Sequence, residues 1–305
     1  MAALVKVLEI WKNKILNGIN LYLRISVTQI EVLSALLYGF VQGVTEFLPV
    51  SSSGHLALIP KFLDWKDPGV AFDLWMHVGT ALAVFVYFYP QILPLLKEFF
   101  GLIKKPFAPM NPDRAYLLNI MMATIVTGGL ALCGKNLGET VGRIPVAIGL
   151  NLILFGLFMF GADFIAAQRE RVYVQSGGQV SDNRLHQLRI KESIFIGLFQ
   201  AMAIFPGVSR SGATLSIMRM MSISRNESAS FSFILSLPLI FIGAILKVGE
   251  LDGRINVLEL LLGVSISFIV GIMTIHFFLQ MIKKIGLGIF CGYRIILAIL
   301  IFYYL

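Results

Sequence analysis

Charge is scarce in this chain of 305 residues, and so is cysteine. Asp, Glu, Lys and Arg make up 14% of it, against about 25% in soluble domains. That shortfall leaves too few polar side chains to clothe an ordinary soluble surface. The two cysteines, Cys133 and Cys291, both stand in apolar segments. They read as small packing residues, which excludes a disulfide or cysteine–metal framework. No basic, aromatic-laced soluble domain is present, so the net charge of +8 does not indicate a nucleic-acid partner. The cations read instead as loop residues beside anionic headgroups. A signal-peptide cleavage pattern is also missing from the first 26 residues, where Lys6, Lys12, Lys14 and Arg24 alternate with apolar residues. That alternation predicts an amphipathic helix on the membrane surface over residues 1–29.

What is abundant is apolar sequence, at 57%. Six runs approach the roughly 20 residues needed to cross hydrocarbon. They lie near Val70–Tyr89, Ala115–Gly134, Pro145–Ala166, Glu227–Lys247, Val257–Met281 and Leu287–Tyr304. Pro90 and Pro94 are expected to end the first, and Lys104–Arg114, with its prolines, to be a loop. The polar stretch Gln168–Glu192 is expected to be a solvated, mobile loop.

Two further segments repeat one another. Residues 39–54 read GFVQGVTEFLPVSSSG, and residues 197–212, offset by 158, read GLFQAMAIFPGVSRSG. Seven of sixteen positions agree, among them Ser51 with Ser209, Ser53 with Ser211 and Gly54 with Gly212. The differences fall on chemistry: Glu46 stands opposite Ile204, and Ser52 opposite Arg210. Each copy has a short apolar arm, a break rich in Pro, Ser and Gly, and a second short arm. Arms of this length suit re-entrant segments, and broken backbone at membrane depth is tolerated where it lines a cavity.

The expected fold is therefore an all-α polytopic membrane protein with six transmembrane helices and two re-entrant helix hairpins. Three spans separate the hairpins, and an odd number of crossings inverts the second copy. The halves, residues 30–166 and 190–305 about a polar loop at 167–189, become an inverted-topology repeat whose broken helices meet near the midplane. Loops after the first, third and fifth spans carry more Lys and Arg, which puts them in the cytoplasm and both termini outward.

Arg210 is costly at membrane depth, about 2.5–3.5 kcal/mol on insertion scales, so it should face a cavity or a partner. With Ser209, Ser211 and the amides near Gly207 and Gly212 it makes an anion nest. Its planar guanidinium suits phosphate oxygens. The alternative is an ion pair with Glu46 that fastens the hairpins together. Ser51, Ser52 and Ser53 exceed what helix capping needs. Ser52, which replaces the arginine of the other copy, is the candidate nucleophile, with phosphate ligand and simple cap as the alternatives. Gln42 and Glu46 share a helical face, with Thr45 beside them. Glu46 could act as general base or hold a divalent cation with substrate phosphates. His55 is the candidate for proton transfer. Asp73 and His77, one turn apart, read as a mutual structural pair, with an outer shell or a metal as the alternative, although no third ligand completes a zinc site. Arg219 and Arg225 read as headgroup anchors, and Arg294 as a snorkelling residue.

The run from Gln42 to His55, together with Pro206-Gly-Val-Ser-Arg210-Ser-Gly-Ala-Thr214, resembles the undecaprenyl-diphosphatase family, the bacitracin-resistance type of bacterial membrane phosphatase. The resemblance covers nearly all the chain from residue 30. It implies hydrolysis of undecaprenyl diphosphate to the monophosphate and inorganic phosphate, which recycles the cell-wall lipid carrier at the cytoplasmic (inner) membrane. It also implies dependence on a divalent cation, Mg2+ or Ca2+, bound with substrate. Matching positions assign catalytic roles to Glu46, Ser52, His55 and Arg210, and a metal role to Glu46. Substrate binding falls to Gln42, Thr45, Ser51, Ser53, Gly207, Ser209, Ser211 and Thr214. Some members have Glu at the position of Gln42, which shifts any charged duty onto Glu46. The expected partners are the polyprenyl diphosphate, bilayer lipids and a second copy in a homodimer. A polyprenyl-phosphate flippase or transporter on the same inverted repeat is the rival reading.

Overall fold

The computed structural model describes residues 31–141, 144–178, 184–247 and 257–305. The surface helix expected over 1–29 lies outside them. Among the described residues the secondary structure is entirely helical, as the composition requires of backbone in lipid. The described residues form eleven α-helices, in order. They are α1 (Glu31–Thr45), α2 (Ser52–Leu63), α3 (Val70–Tyr87) and α4 (Tyr89–Lys104). Then come α5 (Pro112–Val141), α6 (Pro145–Gln175), α7 (Ile190–Ala201) and α8 (Arg210–Met220). The chain closes with α9 (Arg225–Lys247), α10 (Val257–Ile282) and α11 (Gly288–Tyr304).

Among the described residues five helices are long and apolar enough to cross a membrane: α3, α5, α6, α9 and α10. The chain is thus a multi-pass membrane protein. The segment expected as a sixth span is the apolar helix α11, whose 17 residues are fewer than those of the other five. Outward-facing Leu154, Leu157 and Phe164 on α6, Met273 and Phe277 on α10, and Ile296 and Ile299 on α11 are exposed, as a hydrocarbon solvent allows.

Two boundaries differ from expectation. The first span does end at Tyr87, yet the prolines do not stop helix formation. Pro90 lies in the first turn of a new helix, α4, where its missing N–H costs nothing, and Pro94 is inside it. α4 buries Ile92 and Leu95 and leaves Phe99, Phe100 and Ile103 exposed. The polar stretch after residue 167 is not all loop. α6 continues to Gln175, and α7 starts at Ile190, where the Glu192 carboxylate accepts the Arg189 N–H at 2.8 Å. The expected division at residue 166 therefore falls within a continuous helix.

The duplicated segments are helix–break–helix units. α2, α7 and α8 have 12, 12 and 11 residues, about 16–18 Å each and too short to cross. Each unit leans on a long helix from the other half of the sequence. On α1, a Cβ at Gly39 would meet the Gly263 carbonyl of α10. On α7, a Cβ at Gly197 would stand 2.7 Å from the Ala123 carbonyl of α5. These two glycines are themselves related by the offset of 158.

α8 is buried from Ser211 to Arg219. The headgroup role expected of Arg219 and Arg225 does not hold. Arg219 is fully buried and donates to Asp163 Oδ1 at 2.8 Å, to Glu170 at 2.5 and 3.1 Å, and to the Ile223 carbonyl. Arg225 forks onto both oxygens of the same Asp163 at 2.8 and 2.9 Å. Asp163, deep in an apolar helix, draws both cations inward, and together they lock α6, α8 and the start of α9.

Candidate active site

The two breaks have the same local geometry. Ser51 and Ser209 cap α2 and α8, and both take a left-handed φ, 74° and 71°. Each hydroxyl accepts the N–H of the glycine three residues on, Gly54 at 3.4 Å and Gly212 at 3.1 Å. Each also lies beside the next serine but one, with Ser51–Ser53 at 3.4 Å and Ser209–Ser211 at 3.3 Å. The left-handed turn starts each second arm abruptly and points the first N–H groups of α2 and α8 away from their own helix bodies.

The loops meet. Gly207 N–H donates to Ser51 Oγ at 3.0 Å, and Ser211 Oγ donates to the Glu46 carbonyl at 3.4 Å. Gly207, at φ 96°, comes so close to α6 that a Cβ would stand 2.5 Å from the Ile148 carbonyl. Only glycine combines that φ with that approach.

Between them opens a cavity of about 200 Å³. Glu46, Ser52, Ser53 and His77 line one side, and Ser209, Arg210 and Ser211 the other, with Leu239 and Ile240 of α9 as an apolar wall. Glu46 is its centre. Its Oε1 pairs with Arg210 Nη2 across the loops. Its Oε2 accepts Ser52 Oγ at 2.6 Å and Gln42 Nε2 at 2.9 Å, and lies 3.3 Å from His77 Nε2. A carboxylate beside a guanidinium, an imidazole and two further donors is held in one orientation. It can take a proton from Ser52 without moving.

The expected residues separate into two groups. Glu46, Ser52, Ser53, Ser209, Arg210 and Ser211 line the cavity. Gln42 touches Glu46 from beneath and also donates to Thr80 at 3.3 Å. Ser51 and Gly207 form the seam between the loops. Thr45 donates to the Val41 carbonyl of its own helix at 2.7 Å. Thr214 turns to Ser232 of α9 at 2.5 Å and to the carbonyls of Arg210 and Ser211. Neither threonine lines the cavity. His55 faces the other way: Nδ1 donates to the Ser51 carbonyl at 2.8 Å, and Nε2 accepts the Tyr293 hydroxyl at 2.7 Å. The imidazole in the cavity is His77. Its Nδ1 donates to the Asp73 carbonyl at 2.8 Å, which leaves Nε2 toward Glu46. The pairing expected of Asp73 and His77 is realised through backbone, one turn apart.

Arg294 does not snorkel. It is fully buried behind both loops and donates only to backbone carbonyls. No periodicity or motif marked it.

Metal ligation can be weighed against this donor set. Among the described residues no group of three His, Cys, Asp or Glu side chains could hold an ion. Glu46 is the single carboxylate of the cavity, and Gln42 Oε1 is buried without a hydrogen-bond partner. These atoms fit an ion that arrives with phosphate ligands, and are too few for a dedicated cage.

A family model for the bacitracin resistance protein BacA matches residues 35–300. The chain is 37% identical over 270 residues to an undecaprenyl-diphosphatase of Moorella thermoacetica, covering 88% of this chain and 96% of that protein. An undecaprenyl-diphosphatase of Campylobacter concisus is 35% identical over 276 residues, covering 90% and 98%. One of Gemmatimonas aurantiaca is 35% identical over 272 residues, covering 89% and 97%.

Proposed function

The chain belongs to the bacitracin resistance protein BacA family, and from that premise we propose that it hydrolyses undecaprenyl diphosphate to undecaprenyl phosphate and inorganic phosphate. The observation that carries this reading is the convergence of Ser52, Glu46 and Arg210, from two loops, on one cavity. A transporter needs no hydroxyl bonded at 2.6 Å to a buried carboxylate, so the flippase reading is not favoured.

Ser52 Oγ attacks the terminal phosphorus, and its proton passes to Glu46 Oε2. The bond from phosphorus to the bridging oxygen breaks, and undecaprenyl phosphate leaves with that oxygen. Arg210 exchanges its Glu46 contact for phosphoryl oxygens and neutralises the charge that builds there. His77 Nε2, beside the same Glu46 oxygen, is placed to relay the proton. Water then releases phosphate from the phosphoserine. A divalent cation, Mg2+ or Ca2+, would be held by Glu46 and Gln42 Oε1 together with the diphosphate, and would supply further charge neutralisation. His55 supports the Ser51 turn in this scheme.

The same reading makes the two helix–break–helix units re-entrant hairpins, with α3, α5 and α6 as the three crossings that invert the second. The membrane is the bacterial inner membrane, where the carrier lipid is recycled, with both termini outward. Every residue of the site comes from one chain, so the chemistry does not require a homodimer. Purified protein should release inorganic phosphate from a polyprenyl diphosphate in detergent, and Arg210→Ala should abolish release. Release by Arg210→Ala at the wild-type rate would discard this site.

A further inference from the structure

Arg294 lies in α11, outside both duplicated loops, and touches each of them. Its Nη1 donates to the Pro49 carbonyl at 3.1 Å. Its Nη2 donates to the carbonyls of Gly207 at 2.6 Å and Val208 at 3.1 Å. Pro49 and Gly207 are the same position of the repeat, offset by 158. The remaining donors anchor the guanidinium to α6, with Nε on Leu152 at 3.0 Å and Nη2 on Asn151 at 3.3 Å. Asn151 adds its own bond, from Nδ2 to the Pro206 carbonyl at 3.0 Å. Among the described residues no carboxylate pairs with Arg294. A buried cation solvated only by carbonyls is costly, and a packing role would be met by an apolar side chain.

We infer that Arg294 is the positioning residue of this active site: it fastens the two loops in register from behind and keeps an uncompensated positive charge beneath the phosphates. The inference rests on the diphosphatase reading above. The rigid fork of a guanidinium reaches several carbonyls at once, which an ammonium cannot. With the Val208 carbonyl on Arg294, the planar trans peptide turns the Ser209 N–H to the opposite edge, and Ser209 lines the cavity. Ser52 comes from one loop and Arg210 from the other, so a shift between loops separates nucleophile from phosphate ligand. Misplacement of about 1 Å can cost 100-fold in rate.

The test compares wild type, Arg294→Lys and Asn151→Ala for inorganic phosphate release from farnesyl diphosphate in detergent, with melting temperature and folded fraction measured alongside. Arg294→Lys should lower kcat at least about tenfold at an unchanged folded fraction, with KM within about threefold because Arg210 still draws the anion. Asn151→Ala removes one bond to the second loop and should lower kcat about threefold at an unchanged melting temperature. Wild-type kcat in both variants overturns the inference. So does a loss in Arg294→Lys that merely follows its unfolded fraction. If Arg294→Lys does not fold, Asn151→Ala decides alone. A wild type that releases no phosphate would strike the functional reading instead of this one.

Discussion

Replacing Glu46 by glutamine separates the proton chemistry of the cavity from its anion binding. The substitution keeps size and removes one charge. Glu46 now accepts on both oxygens: Arg210 on Oε1, and Ser52 and Gln42 on Oε2, with His77 Nε2 3.3 Å from the latter. A glutamine amide must turn its NH2 toward either the Arg210 guanidinium or the Gln42 NH2, so donor meets donor either way. The side chain of Glu46 is 4% exposed and that of Arg210 20%, so the freed guanidinium can reach cavity water. The stability loss should therefore stay near the roughly 1–3 kcal/mol of an unsatisfied buried group, below the 3–5 kcal/mol or so of a fully buried broken pair. The rate loss is larger. Without a base for Ser52, kcat should fall about 100- to 10,000-fold, which is about 2.7–5.4 kcal/mol of barrier. KM should not rise, because the cavity becomes one charge more positive toward a polyanion. Phosphate release measured over a substrate series, with melting followed in the same detergent, gives both quantities. A folded Glu46→Gln within threefold of wild-type kcat would refute the assignment of Glu46 as base. A raised KM with unchanged kcat would move it to ground-state binding.

Three further outcomes follow from the same geometry. Rapid quench with phosphate-labelled substrate should trap label on wild-type protein and none on Ser52→Ala; unlabelled wild type would point to water as the attacking group. Chelation should suppress phosphate release reversibly, with Mg2+ or Ca2+ restoring it, and full activity in excess chelator would remove the cation from the scheme. Gly39→Ala should lower the melting temperature sharply, because its Cβ would collide with the Gly263 carbonyl, whereas Gly292→Ala, with nothing within 4 Å, should be neutral. Equal melting of the two variants would mean that α1 does not depend on close contact with α10.

The apolar runs placed the spans because hydrocarbon burial leaves a contiguous record in sequence. The loops were legible because duplication wrote them twice, and the departures Glu46 and Ser52/Arg210 marked three side chains that line the cavity. His77 was visible only as half of a one-turn pair. Its neighbour Glu46 is 31 positions away, just past the end of α1, so no local spacing records it. Arg294 was harder still, since an arginine near a chain end in an apolar run has the same sequence signature whether it snorkels or turns inward. Its partners are backbone carbonyls, which carry no residue identity. Arg219 and Arg225 were misread for a related reason: Asp163 sits in an apolar run more than 50 residues earlier. α4 was missed because proline in a first turn is a start signal as well as a stop signal.

The crossed leaning of α1 on α10 and of α7 on α5 makes the two halves of the chain depend on each other. Each broken helix rests on a wall that the opposite half of the chain provides. Either half taken alone would therefore leave its broken helix without that wall, and the cavity without one of its two lining loops.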